Sequence, residues 1–405
     1  MNATGPLPKW MLLALCLAAL WAGSLWVDRW QSRQSGRDSR LNPPVLVQLD
    51  SLRPNRGVDL GLRGRWRMLR PDGVVLEQGV DFLGRLKLDH GHLKIGVFRP
   101  ELSHVVLETD GDVAIRLNQR WYRGRLHLLA ELQEDRSRQL VLRLELPLED
   151  YVLGVVSGEM ETSSPNADAA LQVQAVAART YALWKLGQVE RPYLLDSTYD
   201  QRFESADFET ESAVRAVQAT VGQILVYDGE ILAAYYHADC GGHTSAAYPL
   251  GFRRRPYPPL RGVADPLCRD PFGWEKIVPA ETLDAWAKQF GLGAYLETVH
   301  LYRRGDPGQR CAAVQLIGAN GAPENFLGER FRSLTGSRSV RIHEMRCRED
   351  GALWLRGSGY GHGIGMCQNG ALLRSRAGES FQDILFHYYP GAELASIASL
   401  VSPIP

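Results

Sequence analysis

The 405-residue chain has no excess of charge of either sign, because 46 Lys and Arg residues balance 46 Asp and Glu residues. A neutral chain gives no support to a partner held by charge alone, so the composition argues against nucleic-acid binding. No internal repeat or low-complexity tract is evident either. With 45% hydrophobic and 23% charged residues, the chain is typical of a globular protein with one large domain or two smaller ones.

The usual nucleotide-binding motifs are also missing. A glycine-rich loop has glycine at positions 357, 359, 361, 363 and 365, but it contains neither G-x-G-x-x-G at the start of a helix nor Gly-Lys-Ser/Thr. We therefore expect no organic cofactor. Alternate glycines permit positive φ angles and close approach of a ligand. His362 within this loop is a candidate for orienting a substrate hydroxyl, the alternative being a packed histidine in a tight turn.

Charge is absent from Trp10 to Val27, an apolar run of about 18 residues that is near the lower limit for crossing a bilayer. The run predicts an N-terminal transmembrane helix within residues 1–30, followed by a polar linker over residues 31–43. The alternative is a cleaved signal peptide ending near Ala22-Gly23-Ser24.

The charges around this run favour the opposite orientation to the one we adopt. Four arginines follow it, whereas only Lys9 and the amino terminus precede it. The positive-inside rule would then place the bulk of the chain inside the cell. The motifs below outweigh that rule, and we expect a single-pass protein of the cell membrane with its catalytic domain on the extracytoplasmic side.

Short β-rich runs separated by Arg-Pro, Pro-Asp-Gly and Asp-Gly turns extend from Val45 to about Glu145. Helical signals begin at Pro147 and include an Ala-rich helix that ends at Gly187. The sequence predicts an α+β fold. A small antiparallel β region over residues 44–115 precedes a mixed, β-rich domain over residues 116–397, in which several helices form a substrate cleft.

Glu159 lies on the apolar face of a predicted helix, at i+8 from Tyr151 and i+4 from Val155. A carboxyl group on a core-facing stripe is desolvated, which raises its pKa toward neutrality. A general acid requires such a pKa. Alternatively, this glutamate ends a helix and reaches solvent or pairs with an arginine.

Four potential metal ligands cluster in and after the segment YYHADCGGHT: His237, Cys240, His243 and Cys268. Imidazole and thiolate groups suit a tetrahedral zinc ion. Four protein ligands would make the site structural, because no position remains for substrate. A Cys240–Cys268 disulfide is the alternative in an oxidising compartment.

Five ordered segments resemble the SpoIID/LytB family, the stage II sporulation protein D type of peptidoglycan lytic transglycosylase. They span roughly residues 120–395 and read LEDYVLGVVSGEM, ALQVQAVAARTYAL, DSTYDQRFESADFETESAVRAVQATVGQILVYDGEILAAYYHADCGGHT, GYGHGIGMCQNGA and FQDILFHYYPGAEL. The resemblance implies that the glutamate before methionine, Glu159, is catalytic. It also implies substrate contacts from residues of the matched segments, namely Gln174, Arg179, Tyr199, Gln201, His362 and Gln368.

The chain departs from the family pattern at three positions. Glu161 replaces the usual proline, Gln172 a common lysine, and Cys367 the usual serine. None of these changes removes the acid. Some family members carry His and Cys around the Gly-Gly turn, where zinc is found, so the resemblance also favours a structural zinc ion here.

The resemblance implies cleavage of the β-1,4 bond between N-acetylmuramic acid and N-acetylglucosamine with a 1,6-anhydro product. The expected substrate is peptidoglycan glycan stripped of stem peptides, which in turn implies a cell-wall amidase acting upstream. A muramidase-type hydrolase remains open, with Glu161 or Asp200 as its second carboxylate. So do a non-catalytic amidase enhancer or glycan-binding scaffold, and a zinc hydrolase at His237, Cys240 and His243.

Overall fold

The computed structural model describes residues 42–188, 191–269 and 273–399, and these residues divide into two compact units. The first unit comprises residues 42–154, 191–209 and 397–399. The second comprises residues 155–188, 210–269 and 273–396. No helix among the described residues is long and apolar enough to cross a membrane. The predicted membrane anchor and most of the predicted linker lie outside the described residues.

The first unit is built on a ten-stranded sheet. Its path is β10-β1-β9-β8-β5-β2-β3-β4, and β6 joins it by pairing with β2 and β7. The ten strands are β1 (Pro44–Gln48), β2 (Val58–Leu69), β3 (Val75–Asp89), β4 (His92–Ile95), β5 (His104–Thr109), β6 (Val113–Leu117), β7 (Arg120–Arg123), β8 (Arg125–Leu132), β9 (Arg138–Pro147) and β10 (Leu194–Leu195). The pairings among β1 to β9 are antiparallel, as predicted, whereas β10 joins β1 in parallel. Residue 115, the predicted region boundary, lies inside β6.

Alternation of side chains explains why β8 and β9 pair as they do. In their antiparallel register Leu126 faces Leu144 and Leu128 faces Leu142, and all four side chains are buried. The residues between them point to the other face and are polar and half-buried. A slip of one residue would exchange the two faces, so burial fixes the register.

Helix α1 (Leu148–Glu159) begins in the first unit and ends in the second. It is followed by α2 (Asp168–Leu186), whose Ala-rich sequence lets it pack closely against several neighbours. The predicted helix end at Gly187 is confirmed. The remaining helices are α3 (Glu211–Ala219), α4 (Ala280–Gln289), α5 (Gly328–Thr335), α6 (Gln368–Arg376) and α7 (Phe381–Tyr388).

The described residues of the second unit also form four small sheets. The first joins β11 (Gln223–Tyr227), β12 (Glu230–Ile231) and β21 (Glu393–Ser396), and the second pairs β13 (Tyr236–His237) with β20 (Met366–Cys367). The other two join β14 (Trp274–Val278), β18 (Ile342–Cys347) and β19 (Leu353–Gly357), and β15 (Leu296–Tyr302), β16 (Ala313–Gly318) and β17 (Pro323–Leu327). The mixed α+β prediction is confirmed for the described residues.

A hydrophobic core lies between the last two sheets and their helices. Trp274 of β14, Trp286 of α4 and Phe331 of α5 contribute its largest side chains. The sequence patterns do not predict these elements individually. Their strands are short and half-exposed, so that periodicity is weak.

Candidate active site

Glu159 is the last residue of α1, and its side chain is half-buried. A phenol hydroxyl and a carboxamide are among the groups that contact its carboxyl oxygens. Tyr236 OH lies 3.4 Å from Oε1 and Gln368 Nε2 lies 3.3 Å from Oε2. Tyr236 belongs to β13 and Gln368 is the first residue of α6. Three separate elements thus meet at the predicted catalytic carboxyl group.

Gln174 of α2 extends this group. Its Oε1 accepts a hydrogen bond of 3.3 Å from Gln368 Nε2, so one amide links Gln174 and Glu159. Gln174 is fully buried, and within the described part of the chain its Nε2 has no hydrogen-bond partner. A buried amide hydrogen without a partner is costly, which makes Gln174 Nε2 a candidate donor to a bound molecule.

Tyr236 is the one member of this group that is absent from the predicted site residues. The parallel pairing of β13 with β20 sets Tyr236 opposite Met366 and His237 opposite Cys367. That pairing brings Tyr236 near Gln368, which follows β20 directly. The only local signal was a tyrosine at the end of an apolar run, in a segment already matched to the family.

The glycine-rich loop has the backbone that its sequence predicts, with positive φ at Gly359, Gly361, Gly363 and Gly365. The close approach, however, is to the protein itself. A Cβ atom on Gly363 would overlap the guanidinium of Arg310, and one on Gly365 would overlap the carbonyl oxygen of Tyr235. Glycine is therefore required here by internal packing, whatever ligand the loop also meets.

His362 lies in this loop among aromatic rings. Its ring centroid is 5.4 Å from that of Phe252, 6.0 Å from that of Tyr235 and 5.6 Å from that of His237. Nδ1 accepts a hydrogen bond from Ile364 N. Burial, with Arg310 nearby, lowers the pKa of His362, although its ring is only half-buried. A neutral ring in an aromatic cluster is suited to stacking against a sugar as well as to packing.

The other predicted substrate residues are placed differently. Arg179 is fully buried, and its guanidinium donates to the carbonyl oxygen of Gln223 at 3.0 Å. Gln201 is buried in the first unit and accepts a hydrogen bond from Tyr151 OH at 3.0 Å. Tyr199, in the same unit, is 85% exposed. Their roles in substrate binding stay predictions.

The four predicted metal ligands do not converge. Cys240 and Cys268 lie together with Asp265 and Cys367, each within 4.8 Å of the others through one ligand atom. Neither predicted histidine belongs to this group, since the two Nδ1 atoms lie near backbone carbonyl oxygens. Asp265 was missed because a single aspartate in a loop carries no sequence signal, and Cys367 was noted only as a departure from the family.

Comparison with known proteins agrees with the family resemblance found in the sequence segments. The family described as Stage II sporulation protein, SpoIID, matches residues 136–227. Stage II sporulation protein D of Bacillus subtilis (strain 168) is 30% identical over 275 residues, which cover 62% of this chain and 75% of that protein.

This chain belongs to the SpoIID family. Stage II sporulation protein D of Bacillus amyloliquefaciens is 29% identical over 282 residues, covering 64% of this chain and 76% of that protein. An amidase enhancer of Bacillus subtilis (strain 168) is 27% identical over 292 residues, covering 60% and 40% respectively. The resemblance seen in the sequence is confirmed.

The SpoIID match of residues 136–227 includes Glu159 and Gln174 but ends before Tyr236 and Gln368. The structure therefore supplies the second half of the group around Glu159. We therefore take these four side chains as the candidate active site of this SpoIID protein.

Proposed function

We propose that this SpoIID protein cleaves the glycan strands of peptidoglycan as a lytic transglycosylase. Glu159 protonates the bridging oxygen between N-acetylmuramic acid and N-acetylglucosamine, and the bond from that oxygen to the muramoyl anomeric carbon breaks. The Glu159 carboxylate then takes the proton of the muramoyl C6 hydroxyl, whose oxygen bonds to the same anomeric carbon. No water is consumed, and the product is a 1,6-anhydro sugar.

The observation that carries this proposal is the contact of a phenol hydroxyl and a carboxamide, from two other elements, with the Glu159 carboxyl. A phenol hydroxyl donates to a carboxylate and accepts from a carboxylic acid, and a carboxamide offers both a donor and an acceptor. Such partners suit a group that alternates between acid and base.

A hydrolase would need a second carboxylate to activate water. Of the two candidates, Asp200 is already engaged, since its oxygens accept hydrogen bonds from Arg191 and from Leu195 N. Glu161 is exposed and lies two residues beyond Glu159. The transglycosylase needs only one carboxyl group, because its nucleophile belongs to the substrate.

The similarity to an amidase enhancer supports a second candidate, in which the chain binds a cell-wall amidase or glycan without cleaving it. In this function the Glu159 carboxyl has no chemical role. An amidase is also compatible with the proposed transglycosylase, as the enzyme that removes stem peptides before the glycan is cleaved.

The test uses the full-length protein in detergent with intact and amidase-treated sacculi, followed by mass spectrometry of the soluble glycan. We expect 1,6-anhydro ends, in larger amount from the amidase-treated sacculi. Glu159→Gln should lower turnover by about 10²–10⁴-fold with unchanged circular dichroism. The matched control Glu161→Gln should retain turnover.

Other outcomes select the alternatives. Reducing ends in place of anhydro ends, together with loss of turnover in Glu161→Gln, would establish the hydrolase. Stimulation of an amidase that is equal for the wild type and Glu159→Gln, without glycan cleavage by either, would establish the scaffold.

The proposed substrate lies outside the cytoplasmic membrane, so we also propose an extracytoplasmic domain tethered by the apolar run from Trp10 to Val27. Labelling of intact cells at the exposed Cys347 with a membrane-impermeant maleimide checks this orientation. Labelling only after lysis would contradict it.

A further inference from the structure

Three thiol groups and one carboxyl group meet inside the second unit. Cys240, Asp265, Cys268 and Cys367 are fully buried. The Sγ atoms of Cys268 and Cys367 are 3.5 Å apart, and Cys240 Sγ is 3.5 Å from Asp265 Oδ2. A tetrahedral zinc ion with Zn–S bonds of about 2.3 Å separates its ligand atoms by about 3.8 Å. The two measured distances are close to this value, and the four ligand atoms all lie within 4.8 Å of one another.

Backbone N–H groups point at the sulfur atoms. Cys367 Sγ accepts hydrogen bonds of 3.2 Å from the N–H groups of Cys240 and Gly370. Cys240 Sγ accepts one of 3.3 Å from the N–H of Gly242. Donors to sulfur favour the thiolate over the thiol, and the thiolate is the form that binds metals.

Arginine side chains surround the same four residues. The buried Arg310 guanidinium and that of Arg341 both donate to the carbonyl oxygen of Cys240, at 3.4 and 3.1 Å. Arg374 donates to Asp265 Oδ1 at 3.2 Å. Buried cations require nearby negative charge. Three thiolates and a carboxylate around a divalent ion keep a net negative charge that these arginines offset.

We propose that one zinc ion binds to Cys240, Asp265, Cys268 and Cys367. Four protein ligands leave no open coordination position, so the site is structural. Three of the four ligands are soft thiolates, which select zinc over magnesium or calcium.

This ligand set differs from the one predicted from the sequence. His237 Nδ1 lies 3.2 Å from the carbonyl oxygen of Ile364, and His243 Nδ1 lies 2.6 Å from that of Thr244. Asp265 and Cys367 take their places. A disulfide between Cys240 and Cys268 is also a different state, because it would leave Cys367 and Asp265 buried beside two oxidised sulfur atoms.

The zinc ion would also act on the site of Glu159, a consequence that rests on the proposed function. Cys367 caps the N-terminus of α6 and immediately precedes Gln368, whose amide contacts both Glu159 and Gln174. Residue 367 also pairs with β13, one position from Tyr236. A metal ion at Cys367 thus fixes both partners of the catalytic carboxyl, and Cys367 is a positioning residue.

Elemental analysis of the full-length protein, purified in detergent under reducing conditions without added metal, tests the site independently of activity. We expect about one zinc ion per chain. X-ray absorption at the zinc edge should give three sulfur ligands and one oxygen ligand. Replacement by cobalt should produce thiolate-to-metal charge-transfer bands and the d–d bands of a tetrahedral ion.

Variants assign the ligands. Cys367→Ser and Asp265→Asn should each lower zinc content, whereas Cys347→Ser, at an exposed cysteine outside the cluster, should retain it. If Cys367→Ser does not fold, the absorption spectrum of the wild type still decides. Two sulfur and two nitrogen ligands would overturn the proposal in favour of the histidines. A second preparation without reductant that is metal-free, and whose Cys240 and Cys268 resist alkylation until reduced, would overturn it in favour of a disulfide.

Activity provides the second readout. Removal of zinc by a chelator should lower kcat on glycan more than it changes KM, and returning zinc should restore kcat. Loss of zinc with unchanged kcat would refute the positioning role. A zinc-loaded protein that never cleaves glycan would keep the metal site and refute only the proposed function.

Discussion

The two units hold their polar groups in different ways. In the first unit, regular pairing satisfies the backbone, and charged side chains lie in rows on the sheet face, as Arg143 does between Glu131 and Gln48. In the second unit, the buried side chain of Arg310 donates to the carbonyl oxygens of Asp239 and Cys240 in an irregular loop, and Arg341 also donates to that of Cys240. Sheet pairing in the first unit is local and repeated, whereas the loop of the second unit depends on a few long side chains for its hydrogen bonds.

This difference indicates which kind of local structure can hold a functional site. A sheet ladder leaves little freedom to bring unlike groups together, because neighbours on one face are fixed by the register. Helices and a two-residue strand can bring a phenol, two amides and a carboxyl group to one point. The backbone groups of the loops that connect these elements then need partners from elsewhere. The site of this SpoIID protein is of the second kind, because its side chains come from separate elements and not from one sheet face.

The sharpest test of this comparison is the same substitution at one arginine of each unit. Arg310→Met leaves the carbonyl oxygens of Asp239, Cys240 and His243 without this donor, and we expect a loss of about 3–5 kcal/mol in the free energy of unfolding. Arg143→Met removes a half-buried pair and should cost about 0.2–1 kcal/mol. Urea unfolding followed by circular dichroism measures both. Equal losses would show that the two ways of holding polar groups do not differ in energy.

Gly363 provides the next test, with Gly378 as its matched control. Their φ angles are 83° and 86°, so alanine is equally strained at both. A Cβ on Gly363 meets Arg310, whereas one on Gly378 has open space around it. We expect Gly363→Ala to cost about 2–5 kcal/mol and Gly378→Ala about 1–2 kcal/mol. The same unfolding assay applies, and similar losses would mean that the loop yields without disturbing Arg310.

The regular parts of both units could be predicted because their patterns are local. The alternation in β8 and β9 and the Gly187 end of α2 can be seen within a few residues of sequence. The local pattern also marks Glu159 as a polar residue on an apolar helix face, and the resemblance to the family then selects it. These features need no knowledge of distant contacts.

Tyr236 and the meeting of the cysteines could not be predicted, because both depend on a pairing across the chain. Strand β13 has two residues and pairs with another two-residue strand, β20. Such short strands leave no periodic signal. Without this pairing, neither the contact of Tyr236 with Glu159 nor the meeting of Cys367 with Cys240 is evident, and the histidines next to Cys240 are the more obvious metal ligands.

Two tyrosine hydroxyls distinguish catalysis from stability. Tyr236→Phe removes a contact to Glu159 and should lower kcat by about tenfold with little change in unfolding. Tyr151→Phe removes the buried bond to Gln201 in the first unit and should cost about 1 kcal/mol of stability with kcat unchanged. Glycan turnover and urea unfolding on both variants decide. A fall in kcat for Tyr151→Phe would instead support the predicted substrate role of Gln201.

The smallest effect concerns a chain of side chains on the sheet of the first unit. His104 Nε2 lies 3.0 Å from His127 Nδ1, and His127 Nε2 lies 2.8 Å from Glu145 Oε2. Burial lowers the pKa of His104, and His127 and Arg143 add to this effect. Below about pH 6.5 the unfolded chain therefore binds a proton at this histidine that the folded chain does not. The free energy of unfolding then decreases as the pH decreases, until the pH reaches the folded pKa of His104.

His104→Gln should remove this loss, so the variant should lose less stability than the wild type between about pH 7 and about pH 5.5. His90, whose side chain is 95% exposed at a turn of the same sheet, provides the control, and His90→Gln should follow the wild type. Urea midpoints at the two pH values measure the difference. If His104→Gln also follows the wild type, burying His104 in this row of side chains costs the folded protein no stability at low pH. The contrast between the units would then rest on the buried arginine and the glycine loop alone.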